Sequence, residues 1–181
     1  INAYIFARVL RIGRAGSLFA GIVFMFSGFM VSSVVFPMMI AGAAWLPLFL
    51  AFIVMVVRKQ EEKGNAPFVP VAYIVVGALV LGVQVLAGHI EITYYTLLVG
   101  AMYSVWRLLG VWRRVGVWRP VLRIAGWLLF MSIIGIMLGA VQLIPLYELV
   151  SHNFREGSAS YAQVVDWAWP IRQILTFVLP D

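Results

Sequence analysis

Leu86-Ala87-Gly88-His89-Ile90-Glu91-Ile92-Thr93-Tyr94-Tyr95 sets a histidine and a carboxylate between two apolar runs, each long enough to cross a lipid bilayer. A charged side chain at the bilayer centre costs about 2.5 to 3.5 kcal/mol on insertion scales, so Glu91 belongs at a membrane surface or in a wet, protein-lined recess. Gly88 breaks the run and supplies the bend. The fold this predicts is all-α: a polytopic transmembrane helix bundle in which two spans turn back on each other at Gly88.

Composition agrees with that reading. Hydrophobic side chains make up 64% of the 181 residues and charged ones only 11%, too apolar a balance for an ordinary soluble domain. The net charge of +6 does not point to nucleic acid, because the arginines fall in short clusters between apolar spans and no aromatic-basic surface or recognition motif accompanies them. The absence of cysteine excludes disulfides, c-type haem attachment and cysteine-ligated clusters.

Outward from the turn, hydropathy divides the chain. Residues 1–16 carry Arg8, Arg11 and Arg14 among apolar side chains, as the end of an earlier helix or an interfacial helix would. Ala15 to Val57 is 43 residues without a charge, about twice the roughly 20 that one span needs. Two spans therefore share it, divided at Phe36-Pro37 into 17–36 and 39–57, with Pro47 kinking the second. Arg58 to Asn65 is a solvated connector. Pro67 and Pro70 open a third span, 69–87, and a fourth follows the Gly88 turn at 92–109. The segment 107–123 holds five arginines and no acid. A fifth span, 121–146, contains Gly135-x-x-x-Gly139, a spacing that lets another helix approach closely. Ser160-x-x-Gln163 resembles a capping box ahead of Trp167 and Trp169, and 171–179 is too short to span. One membrane domain thus covers 1–181, a piece of a longer polypeptide, with 147–181 as an extracytoplasmic segment.

Orientation follows from charge. With 1–14, 58–68 and 107–123 inside, the inner side holds eleven of the thirteen Lys and Arg residues, leaving Arg155 and Arg172 outside. Both histidines, Glu91, Glu148, Glu156, Asp166 and Asp181 then gather on the extracytoplasmic face. The substrate-pocket candidates are His89, Glu91, Glu148, His152 and Arg155. His89 and Glu91 suit acid-base work, metal ligation or recognition of a sugar or phosphate, and equally suit a solvated turn. Glu148 and His152 are four apart; if a helix continues past Pro145 they share a face and could hold a divalent metal. Arg155 has the fork geometry for phosphate or carboxylate. Gln84 and Gln142 near the outer span ends are expected to hydrogen-bond between helices, and Tyr94, Tyr95, Tyr103 and Trp106 to pack and anchor at the interface.

Several stretches together resemble one family. They are Gly21 to Phe29, Trp45-Leu46-Pro47-Leu48, Gln84 to His89 with Tyr95 to Leu98, Ala140 to Leu149, Ser160-Tyr161, Trp167, Pro170 and Leu179-Pro180-Asp181. In this order they are similar to the bacterial YfhO-like membrane proteins, which are grouped with GT-C-type glycosyltransferases. The chain departs from the family at Ile90-Glu91, where Pro-Gln often follows Gly-His, which separates Glu91 from chemistry the family shares. The resemblance implies a multi-pass protein of the bacterial inner (plasma) membrane. It implies transfer of a sugar from a polyprenyl-phosphate carrier on the outer face, and a catalytic carboxylate upstream of residue 1. Membrane lipid and the polyprenyl-phosphate sugar are the partners expected. The competing reading is a non-catalytic scaffold subunit of a larger energy-converting or pigment complex, with other membrane subunits as partners. A transporter ranks third, because no charged residue lies mid-span and no repeat of broken helices is visible.

Overall fold

The computed structural model describes residues 1–63, 69–151 and 165. The described residues form an all-α bundle without strands. In chain order the helices are α1 (Asn2–Val9), α2 (Arg14–Met25), α3 (Gly28–Ser32), α4 (Pro37–Ala43), α5 (Leu46–Lys63), α6 (Val71–Leu86), α7 (Ile90–Val115), α8 (Trp118–Leu138) and α9 (Ala140–Ser151), with a 3-10 turn at Ser33–Val35. Three helical stretches among the described residues are long and apolar enough to cross a membrane: Arg14–Val35, Pro37–Glu62 and Trp118–Leu138. Helices α6 and α9 are apolar but shorter. Helix α7 has ample length, at 26 residues, but its apolar character is diluted by Glu91, two threonines, three tyrosines and its arginines. The chain divides into two compact units, Ile1–Leu143 and Ile144–Asp181.

Four expected span boundaries differ from the structure, each for a local reason. The stretch 17–36 is broken rather than continuous. Ser27 Oγ donates to the Phe24 carbonyl at 2.9 Å and Ser32 Oγ to Phe29 at 3.2 Å, offering the backbone acceptors a partner other than the helical N–H. The stretch 39–57 breaks at Ala44-Trp45, just before Pro47, whose ring removes a helical donor and crowds the preceding turn. There the Asn2 amide on α1 donates to the Ala44 carbonyl at 2.8 Å, satisfying an acceptor the break leaves open. Helix α7 runs to Val115 instead of ending near 109, so Arg107, Arg113 and Arg114 extend a helix rather than a connector, as arginine's high helix propensity allows. Gly116, at φ +71, ends it, its N–H donating to the Trp112 carbonyl at 2.8 Å. The expected fifth span, 121–146, is divided at Gly139 into α8 and α9.

Helix α6 is the middle of the first unit and packs against α4, α5, α7 and α8. It is apolar on every side: one face is buried against these helices, and the other leaves Val75, Val76, Leu79, Val83 and Leu86 exposed. Its closest partner is α8, and small residues make the approach possible. A Cβ on Gly135 would fall 2.7 Å from Leu81 Cβ, one on Gly82 2.9 Å from Leu138 Cβ, and one on Gly139 2.4 Å from Val85 Cγ1. The Gly135-x-x-x-Gly139 motif is thus a packing surface, as its spacing predicts. Leu81, Phe49, Ile53 and Met131 are fully enclosed where α5, α6 and α8 meet. Helix α1 lies against α2 and α5, and the exposed face of α2 presents Leu18, Phe19, Ile22 and Val23.

Candidate functional site at the Gly88 turn

The end of α6 determines the geometry of the turn. Gly88 sits at φ +84, a left-handed conformation that glycine adopts without penalty, and its N–H donates to the Val85 carbonyl at 3.1 Å. His89 follows in extended conformation as the N-cap of α7. Its carbonyl accepts the Thr93 N–H at 3.3 Å and, more weakly, the Thr93 hydroxyl at 3.4 Å. Glu91 stands exposed in the first turn of α7, where a negative charge complements the helix dipole.

Behind the turn is a buried polar pair. Gln84 is fully enclosed on α6, and its Nε2 donates to Thr96 Oγ1 on α7 at 2.5 Å. This is the interhelical bond expected of Gln84. The amide's other atom, Oε1, is buried without a partner, and so is His89 Nδ1. Rotating the amide by 180° would exchange which Gln84 atom is unmatched and still leave one, because an amide offers a donor and an acceptor at nearly equivalent positions. Gln142, at the start of α9, brings its Nε2 to 4.0 Å from where a Gly88 side chain would begin. A side chain at 88 would therefore meet ordinary contact and no clash.

Of the five sequence candidates, the structure sets His89 and Glu91 on one turn but joins them by no hydrogen bond or ion pair; His89 is half-buried and Glu91 exposed. Glu148 is exposed on α9, which does continue through Pro145 to Ser151, and it belongs to the second unit. His152 and Arg155 lie outside the described residues. Among the described residues no group of three His, Asp or Glu side chains is placed to hold a metal ion. Sequence reasoning missed Thr93 and Thr96. The signal was present: two threonines three apart share one face of α7, and Gln84 lies at the end of the preceding span. Tyr94 lies edge-on to Tyr95 with ring centres 5.5 Å apart, and Tyr103 lies 5.7 Å from Trp106; Tyr94, Tyr95 and Trp106 are otherwise exposed.

Chemically, the described turn offers a half-buried imidazole with unused hydrogen-bonding capacity and an exposed carboxylate, with the fully enclosed Gln84 amide behind them. No carboxylate orients the imidazole among the described residues, so the arrangement is equipped for recognition by hydrogen bonds rather than for a proton relay. Comparison with protein families, with curated proteins and with solved structures finds no match.

Proposed function

We propose that the chain is part of the membrane domain of a GT-C-like glycosyltransferase, with the Gly88 turn on the extracytoplasmic side of a bacterial plasma membrane, where it helps bind a polyprenyl-phosphate-linked sugar. The observation that carries the reading is the placement of unmatched buried polar atoms. Gln84 Oε1 and His89 Nδ1 fall at the two ends of the Gln84 to His89 stretch that bears the resemblance to YfhO-like proteins. Gln84 is fully enclosed behind the turn and holds it in place, so the group that would meet a hydroxyl-rich ligand is the half-buried His89 beside the exposed Glu91. Sidedness draws support from α7. At 26 residues it is about 39 Å long, enough to reach across roughly 30 Å of bilayer hydrocarbon, and its basic residues gather toward the Gly116 end, the end that the positive-inside rule would assign to the inner surface.

The test uses the purified chain in nanodiscs and a radiolabelled polyprenyl-phosphate hexose. Binding is expected, and His89→Ala and Glu91→Gln should each weaken it about tenfold, the worth of one lost hydrogen bond. No binding, or binding that both variants leave unchanged, refutes the proposal.

A further inference from the structure

At the end of the first unit away from the Gly88 turn, four arginines meet. The last turns of α5 supply Arg58, Glu61 and Glu62, α7 supplies Arg107 and Arg114, and the α1–α2 loop supplies Arg11, around an open cavity of about 290 Å³. That is about ten times the volume a water molecule occupies in the liquid. Both acids are already engaged: Glu61 pairs with Arg114, and Glu62 with Lys59 at 2.7 Å. Arg58 donates to the Val9 carbonyl. Arg11 and Arg107 differ. Among the described residues neither makes a side-chain hydrogen bond or ion pair, and Arg107 Nε is buried without a partner.

The backbone at Arg11 gives a second, independent observation. Its N–H donates to the Arg8 carbonyl at 2.9 Å, and the Ile12 N–H to the Ala7 carbonyl at 3.0 Å, the pattern that closes a helix through one left-handed residue. Arg11 is that residue, at φ +66, and it is the only non-glycine with positive φ among the described residues. Glycine fits this position without strain. An arginine held there, its side chain lining a cavity, marks a demand on the side chain that outweighs the preference of the backbone.

We propose that this cavity binds a phosphate group, gripped by Arg11 and Arg107. Guanidinium groups match phosphate oxygens in pairs, and four arginines against two paired glutamates leave an excess of positive charge for it. The phosphate belongs either to the headgroup of an anionic phospholipid or to a soluble phosphate, since a basic pocket between membrane helices suits both.

The experiment measures the thermal unfolding midpoint of the detergent-solubilised chain with three probes: phosphatidylglycerol, phosphatidylcholine of the same acyl chains, and inorganic phosphate. Phosphatidylglycerol alone raising the midpoint assigns the site to a lipid headgroup; inorganic phosphate raising it as well assigns it to phosphate from either source. Arg107→Gln should weaken the stabilising ligand at least about tenfold, as expected for one lost charge-assisted contact. Arg11→Gly should do the same while leaving the ligand-free midpoint unchanged or higher, a combination that a purely structural arginine would not give. Arg113→Gln, on the same helix end but outside the cavity lining, should have no effect. Stabilisation by neither phosphate probe, equal stabilisation by phosphatidylcholine, or equal loss in Arg113→Gln overturns the proposal.

Discussion

Replacing Gly135 by alanine separates close helix packing from helix propensity, because Gly126 provides a matched control on the same helix. In a helix interior alanine is favoured over glycine by about 1 kcal/mol, and a Cβ at Gly126 would meet nothing within 4 Å. Gly126→Ala is therefore expected to stabilise by up to about 1 kcal/mol. At Gly135 the same methyl would lie 2.7 Å from Leu81 Cβ and 3.0 Å from the Ala78 carbonyl oxygen. Neither is the far end of a flexible side chain, so α6 and α8 must move apart. Overpacking of this kind costs about 1 to 3 kcal/mol, which cancels or exceeds the propensity gain and leaves Gly135→Ala about 0 to 2 kcal/mol less stable than the parent and about 1 to 3 kcal/mol less stable than Gly126→Ala. Tryptophan fluorescence during equilibrium unfolding in mixed micelles would measure both variants. A Gly135→Ala protein as stable as Gly126→Ala would refute the claim that α6 and α8 are held at backbone contact.

Thr96→Val strands the buried Gln84 amide and should destabilise by about 0.6 kcal/mol, and by at most about 1.7, while adding Gln84→Leu should recover part of the loss in a double-mutant cycle. Gly88→Ala meets no steric barrier but places a side chain at φ +84, so a loss of about 1 to 2 kcal/mol is expected from backbone strain alone, with Gly88→Asn milder. Glu61→Gln removes the exposed ion pair with Arg114 and should cost about 0.2 to 1 kcal/mol, a difference that shrinks as salt is raised in the same unfolding assay.

Helices were legible in the sequence wherever one local signal dominated. The Gly88 turn and the packing role of Gly135 and Gly139 each follow from a single residue type with a strong backbone or steric consequence, whereas Pro47 signalled a kink where the helix breaks outright at Ala44-Trp45. What could not be read were breaks caused by weaker competitors, such as the serine hydroxyls that interrupt the first apolar stretch, where mean hydropathy gives no sign that the helix stops. The course of α7 through its arginines was hidden for the opposite reason: charge marks a membrane boundary but does not end a helix. At the turn, His89 and Glu91 were identifiable as polar groups between apolar runs. Thr96 left a weaker signal, sharing a helix face with Thr93 three residues before it, and its partner Gln84 is identified only once the two helices are placed side by side. The meeting of Arg11 with Arg107 was out of reach of a linear reading, since a loop and a helix nearly a hundred residues later come together only through the packing of α1 and α7 around α5.

Sidedness is the premise on which the extracytoplasmic site depends, and labelling tests it directly. In this cysteine-free chain, Ile90→Cys and Val117→Cys place one thiol at each end of α7, both at exposed positions. A membrane-impermeant maleimide applied to intact cells is expected to label position 90 at once and position 117 only after permeabilisation. Labelling of 117 from outside while 90 stays protected would contradict it.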